Sequence, residues 1–149
     1  MLRSAQQLSL EEKAFHKCAR DKVTVKNLLE SAQRQTHDGL VSQNSFDTRV
    51  EANYDACFNV ALAIINAEGW KSTSINGHHK FALEATCSAI GASERLHDNV
   101  DAIRDVRNLK YSGASRTQRD LDFSAKVLVE FSELAVAWLK NTHPTLLQP

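Results

Sequence analysis

Proline is almost missing from this chain: the two present, Pro144 and Pro149, stand at its C-terminal end, and glycine occurs only five times in 149 residues. Proline and glycine are the main interrupters of helices, so their scarcity predicts long helices. No hydrophobic run comes near the roughly 18–20 residues that a membrane span requires. The opening residues MLRSAQQLSLEEK lack the apolar core of a secretory signal, and a cytoplasmic protein is expected. Excess charge of either sign is absent too, because 18 basic and 18 acidic side chains give a formal net charge of zero. That excludes a protein coating nucleic acid by bulk charge, while leaving room for a local basic patch. Cysteine is sparse: Cys18, Cys57 and Cys87 are odd in number and form no C-x-x-C pair. Each sits in an apolar helical pattern, where a thiol serves as a small hydrophobe. Neither a zinc site nor any other metal or cofactor site is expected.

What is present is helical periodicity. SLEE, at Ser9 to Glu12, has the form of a capping box. The pattern it opens runs towards Gln35, with the β-branched cluster DKVTV as a weak point. THDGLVSQN then reads as a polar loop. Phe46, Val50, Tyr54, Cys57, Phe58, Ala61, Leu62 and Ile65 recur at steps of three and four, predicting an amphipathic helix of about six turns that stops at Gly69. WKSTSING reads as a second polar loop with an Asn-Gly turn.

A shorter helix is expected from His78 to Gly91, burying Leu83, Thr86, Cys87 and Ile90. Another begins near Ser93, turns Leu96, Val100, Ile103 and Val106 inward, and stops near Gly113. The last runs from about Thr117 to Asn141, with Leu121, Leu128, Phe131, Ala135, Trp138 and Leu139 on its core face, and THP ends it. No period-two alternation appears. The expectation is one all-α domain over residues 1–149, an antiparallel bundle of four to five helices.

Two polar concentrations stand out. In RDVRNLKYSG, Arg104, Arg107, Asn108 and Tyr111 fall at offsets that share one helix face. The plain explanation is a solvated face near a helix C-terminus, with Asp101 and Asp105 at pairing distance from the arginines. Against it, the cations continue past the turn: Arg104, Arg107, Lys110, Arg116 and Arg119 gather at one end of an antiparallel bundle. Arginine offers a planar fork that grips phosphate, Asn108 both donates and accepts, and Tyr111 offers a stacking surface for a base. The second concentration is NGHHKFA, where His78 and His79 open a helix. Neighbours there diverge by about 100° and are poorly placed to share a metal. Either one facing the arginine stripe would serve as a proton-transfer group or phosphate donor. His97, beside core residue Leu96, is expected at the surface.

NGHHKFALEA, followed by a short helix and then RDVRNLKYSG, resembles the HEPN domain superfamily, small α-helical bundles of prokaryotic toxin–antitoxin and defence systems. The resemblance implies a homodimer whose arginine-bearing helices face each other across a cleft. Many such proteins are metal-independent ribonucleases. Their motif is an arginine, a polar residue, and a histidine after four to six intervening positions; the arginine holds the scissile phosphate and the histidine moves the proton of the attacking 2′-hydroxyl. Arg107 and Asn108 match the first half. The window for the histidine reads Ser112, Gly113, Ala114, and the corresponding window after Arg104 reads Leu109, Lys110, Tyr111. Three readings stay open: binding of RNA or a nucleotide with little or no cleavage, active cleavage by Arg107 with His78, His79 or Tyr111, and an interface for a nucleotidyltransferase or other antitoxin chain. Losing the motif histidine costs an enzyme about 10²–10⁴ in rate, which favours binding.

Overall fold

The computed structural model describes residues 1–149 apart from the side chain of Lys110. Ser4, one turn earlier than expected, caps the first helix, α1 (Ala5–Glu12): its hydroxyl accepts from the Gln7 N–H while the Gln7 side chain accepts from the Ser4 N–H. Ser9 lies inside α1, and its hydroxyl donates to the Phe15 carbonyl at 2.7 Å. Lys13, with φ of 57°, stops α1 in the left-handed conformation. A three-residue strand, β1 (Phe15–Lys17), follows, and Asp21 then caps α2 (Lys22–Leu40). The single long helix read from the sequence is therefore two helices with a strand between them. Tertiary pairing overrides the local pattern here: Phe15 is buried, and β1 runs antiparallel to β2 (Trp70–Ser72), with Phe15 opposite Ser72 and Lys17 opposite Trp70. Strands this short carry no legible alternation, and the first three residues of the expected WKSTSING loop are thus a strand.

Helix α2 also runs through the expected THDG loop to Leu40. Gly39 is the reason. It faces Asn53 of α3 (Phe46–Ala67) so closely that a Cβ there would overlap the Asn53 side-chain oxygen. Asn53 in turn donates at 2.9 Å to Ser124 of α6 (Gln118–Thr142), buried between the helices. A missing side chain on α2, an amide on α3 and a hydroxyl on α6 thus lock three helices in register.

The rest follows the expected plan. Helix α4 (His78–Ala89) starts after Gly77. Helix α5 (Glu94–Asn108), capped by Ser93, tightens into a 3-10 turn (Leu109–Ser112) before Gly113. Thr117 and Asp120 form the capping box of α6, and a second 3-10 turn (Pro144–Leu147) packs back against α2 and α6. The fold is an all-α bundle with one small two-stranded antiparallel sheet, whose strands are separated in the chain by α2 and α3, and α1 is its additional helix. Helix α3 touches α2, α4, α5 and α6. Its Tyr54, Cys57 and Ile64 meet Leu83 and Cys87 of α4, Val100 and Ile103 of α5, and Phe131 and Leu139 of α6 in one core. Phe46, expected inside, is 39% exposed because it is the first residue of α3. Leu8, Phe15, Ile65 and Ala82 form a smaller cluster beneath α1 and the two-stranded sheet. Among the described residues, no helix is long and apolar enough to cross a membrane.

Replacing a helical glycine by alanine ordinarily stabilises by up to about 1 kcal/mol. Gly39→Ala should instead destabilise the fold by about 1–3 kcal/mol, because Asn53 is held by Ser124 and cannot retreat. Urea denaturation of the two proteins measures this. An unchanged or raised midpoint would show that the α2–α3 contact is not tight.

Candidate functional site

Tyr54 is fully buried on α3, and a buried phenol needs a hydrogen-bond partner. Its hydroxyl finds one 2.9 Å away in Nδ1 of His79, in the first turn of α4. Phe58 lies one turn further along α3, and the His79 ring stacks on it at 3.9 Å and 12°. His79 is thus clamped between a hydroxyl and a ring, with Nε2 left for other partners. Its neighbour His78 points its Nδ1 at the Ile75 carbonyl, 3.0 Å away. A carbonyl only accepts, so Nδ1 carries the proton and the neutral ring offers Nε2 as an acceptor. The two imidazoles meet edge to face at 4.6 Å.

Helix α5 supplies the cation. The Arg107 guanidinium carbon lies 5.2 Å from the centre of the Tyr54 ring, within cation–π range. One of its terminal nitrogens is 3.7 Å from a Glu51 carboxylate oxygen, too far for a hydrogen bond. Its Nε is buried and has no hydrogen-bond partner. Arg107, Tyr54 and His79 therefore form one connected group drawn from α5, α3 and α4. Sequence reading had placed Tyr54 only in the core. The available signal was a tyrosine where the periodicity asked for a hydrocarbon, since its hydroxyl had to meet something polar.

The other expected site residues divide. Arg104 is held by Asp101 at 3.1 Å and Asp105 at 3.6 Å, the pairing its spacing allowed. Asn108 is half-buried at the last position of α5. Tyr111 is 76% exposed in the 3-10 turn, where the tighter winding carries it away from the α-helical stripe. Arg116 is buried: its backbone N–H donates to Asp47 at 2.9 Å, and its Nε lies 3.0 Å from the same oxygen. That contact pins the chain before α6 to the start of α3. Arg119 is exposed in the first turn of α6, and Lys110 lies outside the described side chains. The acids Asp47 and Glu51 come from α3, far away in sequence, so two of the cations expected as an open patch, Arg107 and Arg116, face acids of another helix. His97, expected at the surface, keeps only 14% of its side chain exposed, and its Nε2 is buried without a partner.

Burial first, then the neighbouring His78, Arg107 and Arg104, push His79 down to about 4, so its imidazole is neutral at pH 7. Burial pushes the Tyr54 phenol well above its ordinary range, although Arg107 and Arg104 oppose the shift. In chemical terms the group can hold an anion: a guanidinium with unspent donors sits beside a neutral imidazole. It is less suited to removing a proton through His79, whose depressed pKa makes it a weak base. Among the described residues, no group of three or more His, Cys, Asp or Glu side chains is placed to hold a metal ion.

The chain matches no family model, no curated protein and no solved structure at a significant level.

The pH behaviour of His79 can be checked directly. The unfolded imidazole takes its proton near 6.5 and the folded one only near about 4, so between those values the unfolded state binds more protons. Stability should therefore be intact above about pH 6.5 and fall as the pH drops towards 4. NMR titration of the His79 ring should show a midpoint near about 4, and His79→Phe should make this part of the stability profile shallower. A midpoint close to 6.5 would show that His79 is neither desolvated nor close to the arginines.

Proposed function

We propose that the protein is a HEPN-like binder of RNA or a nucleotide, with a phosphate held by Arg107 beside His79 and with ribonuclease activity weak or absent. The observation that carries this reading is the state of Arg107. Its guanidinium lies against an aromatic ring, touches its nearest carboxylate only at 3.7 Å, and keeps a buried Nε unpartnered. An arginine kept only for structure would be expected to close its hydrogen bonds, as the Arg104 Nε–H does to Asp101 at 3.1 Å. The Arg116 Nε is also buried without a hydrogen-bond partner, but it lies 3.0 Å from an Asp47 oxygen, closer than any carboxylate contact of Arg107 given above. A phosphate would supply the missing acceptors in bidentate fashion. Asn108 follows directly on α5, and the Nε2 of His79 is available as a further donor.

The reading of weak cleavage rests on two points. The histidine of the HEPN motif has no counterpart after Arg107, and the depressed pKa of His79 suits a donor better than a base. One feature supports the alternative of an active metal-independent ribonuclease. His78 has its Nδ1–H tied to the Ile75 carbonyl, so its neutral form would have Nε2 left to accept the 2′-hydroxyl proton. The HEPN reading also carries a homodimer, a cytoplasmic place in a toxin–antitoxin or defence system, and a nucleotidyltransferase as a potential partner chain.

The deciding experiment is RNA binding and cleavage in EDTA. Wild type should bind single-stranded RNA with an affinity that falls as salt rises. Arg107→Lys keeps the charge but loses the fork, and should weaken binding by about tenfold or more with the circular dichroism unchanged. Binding indifferent to that substitution sinks the proposal. Cleavage to 2′,3′-cyclic phosphate ends, abolished in His78→Ala, would instead establish the ribonuclease.

A further inference from the structure

A cavity of about 490 Å³ opens where the N-terminus of α2, the C-terminal end of α3 and strand β2 meet. It is separate from the Arg107 group, since Asn66 on its wall lies roughly 18 Å along α3 from Tyr54. Its volume falls in the range of small-molecule sites, about 300–1,000 Å³. Leu28, Leu62 and Ile65 give it an apolar floor, and the half-buried Trp70 gives it an aromatic wall.

The polar groups around it have a consistent sense. The Thr24 hydroxyl donates to Asp21 at 2.6 Å, the Ser72 hydroxyl is directed at the Thr73 carbonyl at 3.4 Å, and the Asn66 amide faces the Cys18 sulfur at 3.9 Å. The donors are turned inward upon the protein. What remains for a ligand are acceptors, and the Asp21 carboxylate adds a negative charge at the rim. The Asp21 carboxylate accepts from the Val23 N–H, the Thr24 N–H and the Thr24 hydroxyl, which leaves one of its four lone-pair positions for a ligand. Lys71 is the cation in the lining, but it lies opposite His16 in the β1–β2 register, on the face opposite Trp70, and both are exposed. Lys17, which shares the Trp70 face, has its ammonium 5.8 Å from the centre of that ring and does not line the cavity. The ring already accommodates a cation.

The walls are also held in place before any ligand arrives. The Arg20 Nε–H donates to the Ala67 carbonyl at 2.6 Å, the Asp21 N–H to the Asn66 side chain at 2.9 Å, and the Cys18 N–H to the Gly69 carbonyl at 2.9 Å. These bonds tie the segment between β1 and α2 to the end of α3, which lowers the ordering cost of binding.

We propose that this cavity binds a flat aromatic molecule carrying a protonated amine, with the ring against Trp70 and the apolar floor and the ammonium at Asp21. A ligand of this class brings donors and a positive charge to the Asp21 side of the cavity, and its ring meets the Trp70 face.

Tryptamine is the probe, with indole-3-acetate as the same ring bearing the opposite charge. The readout is the indole N–H resonance of Trp70, distinguished from that of Trp138 by a Trp138→Phe variant. Tryptamine should shift the Trp70 signal saturably with a Kd on the order of 1 mM and leave Trp138 in place. Asp21→Asn retains a capping side chain, so α2 stays intact, yet it should weaken tryptamine about tenfold. Arg107→Lys should bind it like wild type, so that failure here is separable from failure of the RNA-binding proposal. The proposal is overturned if tryptamine produces no saturable shift at Trp70, if indole-3-acetate binds as well, or if Asp21→Asn titrates like wild type.

Discussion

Burying Tyr54 on α3 is the constraint around which the rest is arranged. A phenol in the middle of a helical core leaves its hydroxyl in need of a partner, and that need draws the first turn of α4 onto α3 through His79. The same ring face receives Arg107 from α5. One side chain therefore joins three helices. The packing that stabilises the bundle brings an imidazole and a guanidinium within reach of each other. Phe58, one turn on, stacks on the imidazole and prevents it from swinging to solvent.

Electrostatics then decides what this group is fit for. Burial and two nearby arginines hold His79 neutral, which makes it a hydrogen-bond donor or acceptor of fixed charge rather than a proton shuttle at pH 7. Arg107 pairs only loosely, whereas Arg104 and Arg116 are more closely engaged by acids. The cations that look alike in the sequence are thus unequal in the fold. A loosely paired arginine beside a neutral imidazole is a place for an anion to dock, and the proposed binding role follows from that inequality.

The two-stranded sheet gives the bundle a second kind of surface. Its β1 interrupts what would have been a continuous first helix, and its β2 places Trp70 in the same cavity as Leu28, Leu62 and Ile65. The tight approach of Gly39 to Asn53 fixes α2 against α3 and, through Ser124, α6 as well.

The sequence by itself determined the helical bundle, the approximate extents of α3, α4 and α6, the start of α5, and the apolar stripe at the centre of their buried faces, though not the burial of Asn53, Val60 and Ile64 on α3, Glu84 on α4 or Ser124 on α6. Those features depend on contacts three and four residues apart and on local caps, which a linear reading sees directly. The arginine stripe and the histidine pair were legible as unusual polar groupings for the same reason. Tertiary structure alone decided the break into α1, β1 and α2, because a three-residue strand exists only through its distant partner. It alone decided that Gly39 stays helical, since the reason is an amide on another helix. Tyr54 as the link between Arg107 and His79, and Asp47 and Glu51 as counter-charges, were likewise invisible, because the residues meet only after α3 is packed. Coulomb and hydrogen-bond energies depend on distance in space, and for those residues distance along the chain says nothing about it.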